Sequence, residues 1–311
     1  MRKWISARPF LWIVIVMVIL GAILSLLSPY FLTRGNITNL LKQVSILALL
    51  AAGQTLVILS AGIDLSVGSV LALSAVLMGG FMNTNSMPAI VAIILGVLIA
   101  AAIGAFNGIV ISKAKIPPFI VTLGMMGIAR GLALVYTKGR SFQLQSDTLD
   151  FIGSGTVIGI PFPIIIVAVV YIILYFVLRQ NVFGRNVYAI GDNEDASRLA
   201  GINVDRHKIV IYTISGFCAG LAAAVMIGRL SSAPPNVAVQ SELQAIAAVI
   251  IGGTSFTGGI GSIETTLIGA MIMTMITNGL NILGVSSFWQ QVFVGAIIIL
   301  AVWLDKLKVQ K

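Results

Sequence analysis

The chain alternates between long apolar runs and short polar breaks. A bilayer core of about 30 Å is crossed by about 20 helical residues, so each run of that order reads as a candidate span. Ten runs emerge, at residues 10–27, 41–60, 67–82, 89–111, 119–136, 163–178, 209–227, 243–251, 265–283 and 288–304. The eighth is too short to cross alone, and a glycine-rich break, GGTSFTGGIGS at 252–262, follows it. A second break, SAGIDLSVGS, covers 60–69. Irregular backbone at membrane depth is tolerated only where protein or a water-filled cavity covers it. Short, glycine-interrupted segments also point to transport pathways. The pattern predicts an all-α, polytopic integral membrane protein with about ten transmembrane helices and a re-entrant or broken segment near 243–262. The whole of 1–311 reads as one transmembrane domain. For 252–262 a plain glycine-rich cytoplasmic turn is the alternative, with Gly252 and Gly253 as gate candidates.

Composition excludes the other classes. The chain is 58% hydrophobic and 9% charged, against about a quarter charged in a soluble domain. One cysteine, Cys218, forbids an internal disulfide, and one histidine, His207, leaves no His-based hydrolytic or metal motif. The start, Met1-Arg2-Lys3 before an apolar run, resembles a signal peptide. Its apolar stretch is long and Ser25-Leu26-Leu27-Ser28 is a poor cleavage site, so an uncleaved first span is expected.

The net charge of +9 becomes a topology signal once it is mapped. With the N-terminus inside, Arg2, Lys3, Arg8, Lys113, Lys115, Arg179, Arg185, Arg198, Arg206, Lys208, Lys306, Lys308 and Lys311 fall on the inner side. Arg34, Lys42, Lys138, Arg140 and Arg229 fall outside. The positive-inside rule then puts both termini in the cytoplasm. No basic, aromatic-interleaved soluble surface suggests nucleic acid.

Small residues recur every fourth position in two runs: Gly96, Ala100, Gly104 and Gly108, then Gly216, Gly220, Ala224 and Gly228. Such faces let helix backbones approach closely in lipid. Asp64 is the only acid before Asp147. An intramembrane acid is a functional candidate by default, but its place before a new helix favours an N-cap. Arg130 lies within the fifth run, where it snorkels outward, pairs with backbone carbonyls or, as a further alternative, lines the pathway. Asn107, Asn278, Asn281, Gln290 and Gln291 suit interhelical hydrogen bonds. A path for a hydroxyl-rich solute needs the same chemistry, so they also stand as pathway candidates.

The densest charge lies in 179–208, within which GRNVYAIGDNEDASRLAGINV (184–204) reads as a short helix. Asp192 or Asn193 caps it, Glu194 and Asp195 suit its first turn, and Gly201 stops it. Ala196, Leu199 and Ala200 form an apolar face. A two-turn helix is marginal alone, so one with an exposed apolar face calls for a partner. The chain has no Gly-x-x-x-x-Gly-Lys-Ser/Thr loop and no catalytic constellation. It reads as a non-enzyme without cofactor. Titratable groups in the runs are scarce, which argues against ion coupling and for an external motor.

Long stretches then carry a resemblance: AGIDLSVGS (61–69), TLGMMGIARGLALVYT (122–137), the 184–204 segment, RLSSAP (229–234), AIAAVIIGGTSFTGGIGS (245–262) and NGLNILGVSSFWQQ (278–291). The chain resembles, over nearly its whole length, the membrane permease subunits of bacterial ABC importers for monosaccharides, of the ribose type. The resemblance implies a multi-pass protein of the bacterial inner membrane that forms the sugar pathway with a second permease subunit. It implies a cytoplasmic ABC ATPase that binds ATP and magnesium, and an extracytoplasmic sugar-binding protein. Asp192, Asn193, Glu194, Asp195, Ala196, Arg198, Leu199 and Gly201 would then form the coupling helix for the ATPase. Ribose is the first expected substrate; the furanosyl quorum signal autoinducer-2 or another pentose or hexose is the alternative. A stand-alone secondary carrier or channel for a small polar solute is the rival class.

Overall fold

A computed structural model of the chain describes residues 9–309; the expectations for Arg2, Lys3, Arg8 and Lys311 lie outside the described residues. In chain order the helices are α1 (Pro9–Leu27), α2 (Arg34–Leu59), α3 (Val67–Asn83), α4 (Ala89–Lys113), α5 (Pro118–Thr137), α6 (Asp147–Ser154), α7 (Phe162–Gln180), α8 (Val182–Asp192), α9 (Glu194–Leu199), α10 (Val204–Leu230), α11 (Ser241–Ile251), α12 (Ile263–Ile282) and α13 (Ser287–Val309). Two antiparallel two-residue ribbons accompany them: β1 (Phe142–Gln143) pairs with β4 (Ser232–Ala233), and β2 (Thr156–Val157) with β3 (Ile160–Pro161). Each of the ten apolar runs is a helix. Among the described residues seven are long and apolar enough to cross a membrane (α1, α2, α4, α5, α7, α10 and α12), and α3, α11 and the apolar part of α13 are shorter. The protein is an all-α, multi-pass membrane protein.

Some helices outrun their apolar stretch. α2 begins at Arg34 because Thr33 caps it, its side chain accepting from the Asn36 N–H. α10 begins at Val204 because the Asn203 side chain accepts from the Arg206 N–H. Hydrophobicity marks the lipid layer, whereas caps mark the helix.

The bundle is built around α2, in which every residue from Val44 to Leu59 is buried. The two small-residue stripes are partners. A Cβ on Gly104 would land on the Tyr212 carbonyl oxygen, one on Gly216 on the Ala100 carbonyl, and one on Gly220 against Val97. α4 and α10 therefore touch backbone to backbone, the contact that holds helices together where lipid offers no hydrophobic drive. The ends of the stripes turn elsewhere: Gly96 packs on Met78 of α3, and Gly228 on Leu149 of α6. Exposed large apolar residues, including Leu26, Ile94, Val135, Ile172 and Leu300, mark the outward faces of α1, α4, α5, α7 and α13.

The broken segment is α11 and its flanks. α11 runs antiparallel to α12, with Gly252 beside Thr265–Thr266 and the Ala248 carbonyl where a Cβ on Gly269 would stand. It is only 11 residues long, about 16 Å at helical rise. Non-helical backbone continues it at both ends. Residues 252–262 fold against the end of α2 and of α8: the Gly259 N–H donates to the Leu59 carbonyl at 3.0 Å. Residues 231–240 complete the other end, next to the ribbons.

Candidate functional site

One face of the bundle carries α8 and α9. Three asparagines start three consecutive helices there. Asn181 accepts from the Phe183 N–H at 3.2 Å and opens α8. Asn193, in extended conformation (φ −155°), ends α8 and accepts from the Ala196 N–H at 2.9 Å to open α9. Asn203 opens α10. The single helix expected between 184 and 204 is therefore two, and Asn193 rather than Asp192 is the cap, because its extended backbone interrupts the helical ladder. Gly201 closes the segment at φ +83°, a left-handed conformation that favours glycine.

The two short helices differ in what they touch. α8 buries Gly184, Val187, Ile190 and Gly191, and a Cβ on Gly191 would meet the Leu59 carbonyl. α8 is thus seated on the end of the central helix. α9 buries only Ser197, and its Leu199 is 91% exposed, with Ala196 and Ala200 also open. Charges fix its angle. Glu194 meets Lys208 at 2.6 Å and Arg198 at 3.0 Å, and Arg198 meets Asp205 at 2.8 Å. Burial alone would raise the Glu194 carboxyl, but the hydrogen bonds from Lys208 and Arg198 outweigh it and hold it below the usual carboxylate range. Exposed pairs contribute about 0–1 kcal/mol each, so the network orients α9 more than it stabilises the fold.

Within the bundle, Asp64 is fully enclosed. Its Oδ1 accepts from the Ser66 N–H at 2.9 Å and the Ser66 hydroxyl at 2.6 Å, and its Oδ2 from the Ser215 hydroxyl at 2.8 Å. The N-cap of α3 is Ser66, with no side-chain cap bond. The N-cap role expected for Asp64 is therefore corrected: its carboxylate stays two residues upstream and latches the α2–α3 turn to α10. Asn107 of α4 joins this cluster by donating to the Ser66 Oγ at 3.1 Å.

The other polar candidates also connect elements. The Asn278 and Asn36 amides bond reciprocally, at 2.9 and 3.1 Å, tying α12 to α2. Gln290 donates to the Asn281 side chain at 2.7 Å and to the Val285 carbonyl at 3.0 Å. Gln240 donates to Gln291 at 3.4 Å. Gly252 abuts Thr265–Thr266, and Gly253 turns the chain at φ +88°; both border a groove of about 580 Å³ with Arg179 and Glu264, which themselves pair at 2.9 Å.

Arg130 pairs with carbonyls, one of the roles expected for it. Its guanidinium donates to the Pro235 and Val237 carbonyls, both at 2.8 Å, holding the irregular segment before α11. Charge-assisted bonds contribute about 1.5–3 kcal/mol each. Arg130→Met is therefore expected to lower the melting temperature in detergent by about 5 °C, read by a thermal-shift assay; an unchanged transition would remove this anchoring role.

Two residues escaped the sequence reading. Glu242, in the first turn of α11, is 8% exposed, and its Oε2 lies where a Cβ on Gly68 would stand. Gln54, in the middle of α2, is fully buried, with neither amide atom hydrogen-bonded among the described residues. Glu242 sits just before the start assigned to the eighth run, and Gln54 is one polar residue in an apolar stretch, so neither breaks the pattern.

Comparisons with known proteins bear on this arrangement. Residues 36–302 match the family described as branched-chain amino acid transport system / permease component. Over 311 residues the chain is 44% identical to the ribose import permease protein RbsC of Escherichia coli (strain K12), covering 99% of this chain and 96% of that one. It is 47% identical over 302 residues to the ribose import permease protein RbsC of Bacillus subtilis (strain 168), covering 96% and 92%. It is 44% identical over 294 residues to the D-allose transport system permease protein AlsC of Escherichia coli (strain K12), covering 94% and 90%. No solved structure matches the chain.

Proposed function

The chain belongs to the family of branched-chain amino acid transport system permease components, and on that premise we propose that it is the membrane permease subunit of an ABC importer for a monosaccharide, ribose first. The observation that carries this reading is identity of 42–47% over nearly the full length to ribose import permeases. The family description names amino acids, but these relatives are named for sugars, and uncharged polar groups rather than paired charges predominate among the buried polar residues.

In this reading a cytoplasmic ABC ATPase binds ATP and magnesium and seats α9, whose Leu199 is left exposed by its own chain. An extracytoplasmic binding protein delivers sugar to the opposite, ribbon-bearing face. Lys113, Lys115, Arg185, Arg198, Arg206 and Lys208 fall at the α8–α9 face, which supports placing that face, and both termini, in the cytoplasm of a bacterial inner membrane. A second copy of the chain completes the pathway. α5 supports this: Cβ atoms on its Gly124, Gly127 and Gly131 would meet nothing within 4 Å, leaving a small-residue face open for another helix.

Reconstitution tests the reading. Vesicles holding the permease with its ATPase and binding protein are expected to accumulate radiolabelled ribose only when ATP is supplied, and the mass of the solubilised complex is expected to give two permease copies. Uptake that persists without the ATPase and follows an ion gradient would establish the secondary-carrier class instead.

A further inference from the structure

On the ribbon-bearing side, a cavity of about 560 Å³ is bordered by Arg34, Lys42 and Arg229, with no carboxylate in its lining. Arg229 also borders a second, smaller cavity of about 140 Å³, half open and walled by α2, α10, α11 and α12 within a single copy of the chain. Arg229 thus stands between a wide mouth and a narrow chamber.

The chamber is unlike the other polar contacts of the bundle, because its groups do not satisfy one another. Gln43, Ser241 and Gln244 line it, and their side chains make no hydrogen bond among the described residues. Thr274 and Thr277 also line it. Their hydroxyls donate to carbonyls of their own helix, at 2.8 Å to Ala270 and 3.1 Å to Thr274, which leaves their oxygens free to accept. The remaining wall is Arg229, whose guanidinium donates to Asn39 at 3.0 Å, and an apolar side from Ile46, Leu47, Leu50 and Met226. The chamber therefore offers amide donors, amide and hydroxyl acceptors, and a flat apolar side. No carboxylate lines it and Arg229 does, so it offers no counter-charge to an ammonium group. Its volume equals about five waters at liquid density, the size of one small polyol.

The stripe of α2 that faces the chamber continues inward. Gln43, Leu47, Leu50 and Gln54 recur at helical spacing on one side of α2. Gln54, one turn below Leu50, is the fully buried amide with no hydrogen-bond partner among the described residues. Leaving such a group unpaired costs about 1–3 kcal/mol, a cost that a hydroxyl group or water arriving from the chamber offsets.

We propose that this chamber is a binding site for one uncharged, monosaccharide-sized polyol inside each permease copy, with Gln43 and Gln244 as its recognising amides and Gln54 as the next contact inward. The proposal rests on the sugar-permease reading and adds a site to it.

The full-length Gln244→Cys variant tests it directly, since the native Cys218 is buried and provides a silent background. In membranes, a water-soluble thiosulfonate reagent is expected to label the new thiol. D-ribose at twice its dissociation constant is expected to slow labelling about threefold by mass action, while sucrose, too large for the chamber, leaves the rate unchanged. In the reconstituted importer, Gln43→Leu is expected to reduce ribose uptake about tenfold, the effect of one lost hydrogen bond, while the ATPase still co-purifies. Labelling that ribose does not slow, a thiol that never reacts while uptake is normal, or normal uptake by Gln43→Leu would each overturn the chamber. Failure of the unmodified importer to accumulate ribose would instead overturn the sugar reading, so the two outcomes are separable.

Discussion

Gly104→Val is expected to remove most of the protein from the membrane fraction and to abolish uptake. The reason lies in the α4–α10 contact. A Cβ at position 104 lands on the Tyr212 carbonyl oxygen, and the reciprocal Gly216 faces the Ala100 carbonyl. Backbone atoms cannot rotate aside as side chains can. Adding atoms to a packed core costs about 1–3 kcal/mol even where side chains give way, so valine against backbone belongs at or beyond the top of that range. The consequences spread along α10. Ser215, next to Gly216, donates to Asp64, and a Cβ on Gly53 of the central helix would meet the Ser215 backbone at 2.8 Å. Separating α4 from α10 therefore loosens the α2–α3 turn and the centre of the bundle together. Quantitative immunoblotting of membranes and thermal unfolding in detergent read the effect. Gly295→Val is the control, because a Cβ there meets nothing within 4 Å. Wild-type levels of Gly104→Val would show that this contact is not what assembles the bundle.

That each stripe packs closely on another helix was legible because its signal is periodic, a small residue every fourth position; that the middles of the two stripes face each other is shown only by the fold. The apolar runs were legible for the same reason, and so was the half-helix at α11, which is simply too short for a bilayer. What escaped lacked a period. Whether one helix or two lies between 182 and 199 depends on the backbone of Asn193, whose side chain fits a cap in either case. Asp64 sits where a cap belongs, and only the fold brings Ser215 within 2.8 Å of it, from 151 residues away in sequence. Arg130 finds its carbonyls at Pro235 and Val237 in a segment with no regular structure. Gln54 and the chamber above it arise where four helices meet, which no single stretch of sequence records. In the 184–204 segment the cap at Asn193 and the open apolar positions were legible, although the pattern did not separate its seated half, α8, from its exposed half, α9.

That separation sets up the second large effect. Leu199→Asp is expected to lower ATP-driven uptake by about 100-fold while leaving the amount of protein in the membrane unchanged. Leu199 is 91% exposed and contributes almost nothing to the chain's own packing, so its loss costs the fold little. Ile190, on the seated helix, is 1% exposed and would not tolerate the same change. In the proposed complex the Leu199 side chain enters the ATPase together with Ala196 and Ala200. Burying a leucine contributes about 1.5–3 kcal/mol, and a carboxylate in that apolar contact adds a desolvation penalty. A combined loss of about 3 kcal/mol corresponds to somewhat more than 100-fold in affinity. Leu199→Ala keeps the contact uncharged, so its expected loss is smaller, about tenfold, and the two variants grade the effect. Co-purification of the ATPase and uptake in reconstituted vesicles should fall together. The salt-bridge network supplies the contrast. Lys208→Ala frees one side of Glu194, which Arg198 still holds at 3.0 Å, and this partly buried pair contributes on the order of 1 kcal/mol, so uptake changes only a few-fold. Normal uptake by Leu199→Asp would move the attachment of the motor away from α9, and the exposed leucine would need another explanation.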